Sequence, residues 1–341
     1  MNAIDRSGVE NMIASARRIF LFSFLFTVLL TATFVTAGSP EGAGEYAFSP
    51  EKASFTIRFN DETSPYRVMS TFLLPSEHLV LEVQNSALPG PYSLETSADV
   101  ITQRSAARWD WRAPDRPGLS ALRIIHPASH DSILLNVFIM VPYDRLQGEE
   151  LNGYRIGKYP AIPLKQLPIY RPPRGFIEVT EENLETPVSP HFQLKDFLCK
   201  QDGDYPKYLV LKENLLLKLE LILEKANEQG ISCSTFHVMS GYRTPYYNKL
   251  IGNVKYSRHL WGGAADIFID EHPEDGMMDD LNGDGQINFR DAGILYDIID
   301  RMYGKPWYQR FLGGLGRYEK TNNHGPFVHV DVRGFRARWG N

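Results

Sequence analysis

Two histidines and one aspartate, on two separate stretches, have the residue types of a metal site. His259 and Asp266 lie in the stretch SRHLWGGAAD, and His329 lies in the alternating stretch FVHVDV. Two imidazoles and one carboxylate make a three-ligand set that leaves a tetrahedral zinc ion one open position for water. Gly262 and Gly263 let the backbone turn between the first two ligands. These residues predict a Zn²⁺ site.

Three separated motifs, in this order, resemble the M15 family of zinc peptidases, the D-alanyl-D-alanine carboxypeptidase-like group. They are SGYRTP at 240–245, SRHLWGGAAD at 257–266 and HVD at 329–331, and the resemblance covers residues 189–341. It implies His259, Asp266 and His329 as zinc ligands. It also implies the fold shared with Hedgehog-type and lysostaphin-type domains, and hydrolysis of peptidoglycan stem peptides or cross-links.

The same resemblance implies a substrate-binding and catalytic role for Arg243. A planar guanidinium grips a carboxylate with two directed hydrogen bonds, which suits the end of a peptide. The alternative is a salt bridge that simply holds the loop. Ser257 is predicted to hydrogen-bond beside the ligand loop and to help bind the substrate.

The sequence departs from the family at the position of the general acid or base. Many relatives place Glu, Asp or His two or three residues before the last zinc ligand, but Pro326 and Phe327 stand there. His324 occupies a position where several relatives carry a functional histidine, and we predict it as general acid or charge stabiliser. Asp331 shares the strand face of His329, so it is a second candidate, more suited to orienting that histidine. The departure keeps open an alternative: a non-catalytic, zinc-containing module that binds the cell wall.

An acidic stretch at 280–291 has the spacing of an EF-hand calcium loop. Gly285 takes the place of the sharp turn, and Asp stands at the last ligand place instead of the usual Glu, as in dockerin-type loops. The alternative is an acidic turn without metal. The sequence predicts a structural Ca²⁺ held by Asp280, Asn282, Asp284, Gln286, Asn288 and Asp291.

Regular elements must position these residues. Apolar residues at helical spacing predict a long helix from about Pro206 to Gln229, which Gly230 ends. Alternating residues predict strands at 236–239, 267–270 and 327–332. We therefore expect an α+β catalytic domain at 189–341, with a small antiparallel sheet flanked by helices.

The first half of the chain predicts an all-β domain. Alternating runs separated by turn clusters suggest an immunoglobulin-like sandwich at 45–145. A proline-rich stretch at 146–188 predicts an extended, semi-rigid linker.

The N-terminus predicts export. Arg17 and Arg18 precede an apolar run from Ile19 to Val35, and small residues up to Ala37 suit a signal-peptidase site. Residues 1–37 are thus a signal peptide, or an uncleaved signal anchor that uses residues 19–37 as a membrane tether. Both place the rest of the chain in the periplasm or cell envelope.

Composition narrows the partners further. The 341 residues carry a formal net charge of -5, which disfavours nucleic acid as a partner. The predicted partner is a peptidoglycan peptide, bound by a monomer. Cys199 and Cys233 could form a disulfide or stay as two buried thiols.

Overall fold

Alternating apolar residues build two β-sheets in the first part of the chain, in a computed structural model that describes residues 48–84, 90–96 and 101–340. Phe55, Ile57 and Phe59 are buried on the first strand, because successive side chains point to opposite faces. The strands here are β1 (Lys52–Phe59), β2 (Glu62–Tyr66), β3 (Val68–Leu73), β4 (His78–Gln84), β5 (Ser93–Thr96), β6 (Ile101–Ser105), β7 (Arg108–Arg112), β8 (Gly118–His126) and β9 (Asp131–Ile139).

Their pairing gives one five-stranded and one four-stranded sheet. The orders are β2-β1-β4-β7-β6 and β3-β9-β8-β5, and β3 pairs with β9 in parallel. The region predicted as a β domain is therefore built of strands, while its immunoglobulin-like topology stays a prediction.

The proline-rich segment predicted as a linker is part of the core. Tyr159, Tyr170 and Phe176 are buried, and the strand that contains Phe176 pairs on both sides. The strands of this region are β10 (Val141–Pro142), β11 (Glu150–Leu151), β12 (Tyr154–Arg155), β13 (Gly175–Val179), β14 (Pro187–Ser189), β15 (Phe192–Gln193) and β16 (Lys207–Leu209). Short 3-10 helices occupy Tyr143–Arg145, Leu164–Gln166, Pro168–Tyr170 and Leu194–Phe197. Because β13 bridges β10 and β16, this segment joins the two halves of the chain as a packed layer.

The long helix begins later than the sequence predicts. Helix α1 is Glu213–Glu228, because residues 207–209 form β16 and pair with β13 instead. Its apolar stripe is buried, as expected. Gly230, with φ of +86°, adopts the left-handed conformation that ends helices, and the amide of Ile231 returns to the carbonyl of Ala226 (3.1 Å).

A second five-stranded sheet forms in the C-terminal part. Its order is β17-β18-β20-β19-β21, antiparallel except for the parallel pair β19 and β21. The elements are β17 (His237–Ser240), α2 (Pro245–Leu250), a 3-10 helix (Arg258–Trp261), β18 (Ala264–Phe268), α3 (Phe289–Asp300), a 3-10 helix (Pro306–Phe311), β19 (Gly314–Tyr318), β20 (Phe327–Asp331) and β21 (Ala337–Trp339). The described chain is thus a mixed α/β fold, rich in strands, with several small sheets and few helices.

The described residues form one compact unit. Cys199 and Cys233 are both buried as free thiols. The predicted signal segment at 1–37 lies outside the described residues. Among the residues that are described, no helix is long and apolar enough to cross a membrane.

A buried lysine on α1 holds the end of β20. The Nζ of Lys218 donates to the backbone carbonyls of Phe311 (3.1 Å) and Asp331 (2.7 Å) and lies 5.5 Å from the ring centre of Tyr308. Burial lowers the pKa of Lys218 to about 7, although the Asp331 carboxylate opposes that shift.

The lowered pKa of Lys218 predicts how the free energy of unfolding changes with pH. Between about pH 7 and about pH 10 the unfolded chain keeps a proton on Lys218 that the folded chain has lost. The free energy of unfolding should therefore rise with pH in the wild type, relative to Lys218→Met, by up to about 1.4 kcal/mol per pH unit. Urea unfolding near pH 7 and pH 9 measures it. Lys225→Met, on the same helix, is the control, and equal slopes for wild type and Lys218→Met would contradict the assignment.

Candidate metal centre

The pairing of two central strands brings the predicted ligands together. In the antiparallel register of β18 and β20, Asp266 lies opposite His329. His259 comes from the 3-10 helix just before β18. Gly262 ends that helix with φ of +60°, and a Cβ there would lie 2.1 Å from the carbonyl oxygen of Val210. Only glycine permits this turn, which places His259 over the strand pair.

Three ligand atoms converge at the centre of this site. Oδ1 of Asp266 lies 2.7 Å from Nδ1 of His329 and 3.3 Å from Nε2 of His259. The two histidine nitrogens are 3.2 Å apart. Two ligands of a tetrahedral zinc ion, each about 2.0–2.1 Å from the metal, are themselves about 3.3 Å apart. The triangle therefore has nearly the size that zinc requires.

The remaining polar atom of each ligand is held by a second residue. Nδ1 of His259 donates to the carbonyl of Gly241 (2.6 Å), and Nε2 of His329 lies 3.2 Å from Oδ2 of Asp331. Each contact fixes a tautomer and leaves the opposite nitrogen as the ligand atom. Oδ2 of Asp266 accepts from Nη2 of Arg243 (2.6 Å), which leaves Oδ1 toward the centre.

The electrostatics of the buried site keep two of the three ligands, His259 and Asp266, in the protonation state that a metal requires. Burial lowers the pKa of His259, so its imidazole stays neutral. Burial would raise the pKa of Asp266, but His259 and His329 outweigh it and hold that pKa well below its usual value. Burial would likewise lower the pKa of His329, but hydrogen bonds with Asp266 and Asp331 raise it. A bound cation would take the place of the proton that His329 shares with Asp266.

The ligand atoms of His259, Asp266 and His329 all lie within 4.8 Å of one another, and all three residues are buried. The donor set, the separations and the fixed tautomers all fit zinc. These three residues would hold the ion and leave one position open.

Arg243 and Ser257, the two residues predicted to bind the substrate, are both buried near the ligand triangle. Arg243 is buried, with Nη2 on Asp266 and Nε on Ser240 (2.8 Å), so the alternative salt bridge is present; its substrate role stays a prediction. Ser257 is buried at the start of the 3-10 helix that contains His259.

His324 lies in the loop before β20, outside the ligand triangle. Its Nδ1 faces the carbonyl of Gly325 (2.8 Å), and its ring packs edge-on against Phe327. When Nδ1 donates, Nε2 keeps the lone pair that a base requires. The catalytic role of His324 stays a prediction.

Asp331 is fully buried and contacts the zinc ligand His329. Burial would raise its pKa, but hydrogen bonds from His329 and Arg333 lower it far below the usual range. Asp331 also accepts from the amide of Gly314 (2.8 Å). An acid this strongly stabilised as a carboxylate suits orientation of His329 better than proton transfer.

Sequence reasoning missed three residues around the ligands. Arg333 binds the carboxylate of Asp331, and the ring of Trp339 lies 5.1 Å from that of His329. Nε1 of Trp339 donates to the hydroxyl of Tyr318 (2.7 Å). The HVDVR pattern could have indicated Arg333 as a partner of Asp331, but no local signal indicates Trp339, because the parallel pairing of β21 with β19 places it there.

In the predicted calcium loop, the Asp and Asn side chains accept hydrogen bonds from backbone amides of the same loop. Asp280 accepts from the amides of Gly283 (2.9 Å) and Gly285 (2.6 Å). Asn288 caps α3, and Asp291 accepts from the amide of Asn288 (2.8 Å), which completes a capping box. Asn282 and Asp284 likewise accept backbone amides, while the side-chain amide of Asn288 donates to the carbonyl of Gln286. These carboxylates do not converge as the zinc ligands do, and calcium binding stays a prediction.

The three ligands define a class: a site suited to zinc, with three protein ligands and an open fourth position. In a comparison with known families, the Peptidase M15 family matches residues 190–286. This segment is therefore similar to the peptidase M15 family, whose members are zinc-dependent. The matched segment contains His259 and Asp266, whereas His329 lies beyond it and joins the site by strand pairing. A comparison with curated proteins found no match.

The ligand assignment predicts how variants bind zinc. His329→Ala should abolish stoichiometric binding, because two ligands remain. Asp331→Asn should weaken binding about 10- to 100-fold, because the charge that orients His329 is lost. Zinc titration against a chromogenic chelator, with metal analysis, measures both.

His324→Ala is the matched control, since it removes a nearby imidazole outside the triangle. It should bind zinc as the wild type does. Full zinc occupancy in His329→Ala would refute the ligand set.

Proposed function

We propose that this protein is an exported zinc peptidase that hydrolyses peptidoglycan stem peptides or cross-links, as a D,D-carboxypeptidase or endopeptidase. The observation that carries the proposal is the ligand triangle, in which each ligand has a partner that fixes its free atom. The match of residues 190–286 to the peptidase M15 family supports the reaction class. When bound, zinc would polarise the scissile carbonyl and lower the pKa of water.

Arg243 is the residue we assign to the substrate. Among the described residues, Ser240 accepts from its Nε and Asp266 accepts from its Nη2, so Nη1 is available to a ligand. That group can donate to the carboxylate or carbonyl of a peptide while Nη2 stays on Asp266. The arginine would thus tie the position of the substrate to the position of a metal ligand. We assign Ser257 to the wall of the same site.

His324 is the residue we assign to proton transfer or charge stabilisation. Support comes from its Nδ1 contact with the carbonyl of Gly325, which keeps Nε2 as the available atom. A positioned general acid or base contributes about 10²- to 10⁴-fold to a rate. Asp331 would hold His329 and stay ionised throughout.

A muropeptide digest tests the proposal. The zinc-loaded full chain should release D-alanine or cleave cross-links, detected by mass spectrometry of the products. His324→Ala should lower kcat about 10²- to 10⁴-fold with zinc retained. His329→Ala is the control that lacks the metal.

The same digest separates the enzyme from the wall-binding alternative. If the protein holds stoichiometric zinc, binds peptidoglycan and yields neither product, the enzyme proposal fails and the non-catalytic module stands. The missing acidic residue before His329 is the feature that favours that alternative.

We also propose that the 280–291 loop binds a structural Ca²⁺ ion. Support comes from the donor spacing and from Gly285, whose φ of +79° makes the sharp turn. Ligand binding to the folded state alone raises its stability. Adding calcium at about 100 times Kd to chelator-treated protein should therefore raise Tm by several degrees. Asp280→Asn should lose that rise, and Asp275→Asn, outside the loop, should keep it. An unchanged Tm in the wild type would refute calcium binding.

A further inference from the structure

Two stretches without acidic residues contribute to one surface. Residues 153–175 and 244–258 contain no Asp or Glu, although the whole chain has 41 acidic residues against 36 basic ones. Their exposed basic residues are Arg155, Lys158, Lys165, Arg171, Arg174, Lys249 and Lys255. The surface is therefore cationic on a protein whose net charge is negative.

The two stretches run side by side. Three hydrogen bonds join them along their length: the amide of Tyr246 to the carbonyl of Ile156 (3.0 Å), the hydroxyl of Tyr256 to the carbonyl of Ile162 (2.9 Å), and Nη1 of Arg258 to the carbonyl of Ile169 (2.9 Å). The ring of Tyr170 also packs edge-on against that of Tyr256. These contacts hold the two stretches, and the exposed basic residues that they contain, beside one another.

The same two stretches also expose aliphatic side chains. Ile162 is 72% exposed, Val254 69%, Leu250 66% and Ile251 46%. Soluble proteins expose single apolar residues commonly, but a group of large aliphatic residues on one surface marks an interaction site. We name these four residues, with Lys165, Lys249 and Lys255, the cationic aliphatic patch.

The chemistry of the patch selects its partner. A soluble polyanion would engage the lysines but would leave the aliphatic side chains in water. An anionic lipid bilayer engages both, because lysines attract lipid phosphates and aliphatic groups enter the boundary between headgroups and acyl chains. We propose that the cationic aliphatic patch docks the protein on an anionic membrane surface.

Docking would have a direct consequence for the metal centre. Val254 lies five residues before His259, and the amide of Ser257 donates to the carbonyl of Val254 (3.1 Å). The patch thus continues directly into the ligand loop, and a docked protein would hold its metal centre near the bilayer. Lys158 pairs with Glu149 (3.4 Å) and Arg174 pairs with Glu77, so neither basic residue is counted in the patch. The inference needs no catalysis and stands apart from the proposed peptidase activity.

A local fluorescent probe tests the docking. Val254→Cys in the full chain is labelled with a polarity-sensitive dye, and Leu119→Cys on β8, whose leucine is 42% exposed, is the matched control. Cys199 and Cys233 are buried, and burial raises the pKa of the Cys233 thiol to about 12, so the introduced thiol reacts selectively. A local probe is needed because the apolar N-terminal run could insert into any vesicle by itself.

The expected result is specific to position and lipid. The dye at 254 should shift to the blue with phosphatidylglycerol vesicles and not with phosphatidylcholine vesicles, and the dye at 119 should not shift. Lys249→Gln and Lys255→Gln should each weaken the apparent vesicle affinity of that signal about fivefold. Lys320→Gln should leave it unchanged, and Ile162→Ser with Leu250→Ser should abolish the shift.

Three results would overturn the inference. One is an unchanged spectrum at 254 while the chain co-sediments with phosphatidylglycerol vesicles. Another is an equal shift at 119. The third is binding of soluble polyphosphate that depends on Lys249 and Lys255, with no vesicle-dependent shift at 254, which would assign the surface to a polyanion.

Discussion

The register between β18 and β20 is the constraint on which the metal centre depends. Asp266 faces His329 only in this pairing, and a slip of one residue would turn one of the two side chains to the opposite face. Ala265 and Val330, one position along, are fully buried and face the core instead. The hydrophobic pattern that fixes the strands therefore also fixes the ligands, and burial of the core stabilises the geometry of a polar site.

Around that register, buried charges are arranged in compensating pairs. Arg243 binds the oxygen of Asp266 that faces away from the ligand triangle, and Arg333 binds both oxygens of Asp331. Each carboxylate thus has a guanidinium partner and an imidazole partner. Such pairs are seldom a net source of stability, because desolvation offsets the attraction. Here the arginines orient the carboxylates, and the carboxylate of Asp331 in turn fixes the tautomer of His329. A metal site requires both.

The sequence predicts the local parts of this site and misses those made by distant pairing. His259, Asp266 and His329 were predicted from residue type and motif, and the structure brings them within hydrogen-bonding distance of one another. Alternation predicts β17, β18 and β20, although β18 begins at Ala264 and not at Ile267, and it does not predict β19 or β21. The sequence does not predict the position of Trp339, because that position depends on the parallel pairing of β21 with β19. The proline-rich stretch predicts an extended linker, but it is packed into the core. Prolines restrict the backbone without preventing neighbouring aromatic residues such as Tyr170 from being buried.

Helix α1 extends two carboxylates into the β-sheet half of the protein. Glu213 accepts from the hydroxyl of Thr71 (2.9 Å), and Glu224 accepts from the hydroxyl of Tyr66. The same helix holds the end of β20 through Lys218. A fragment that kept α1 but lacked the β-sheets would leave both carboxylates without these partners. One helix thus contacts the first β-sheets through its carboxylates and the strand that bears His329 through its lysine.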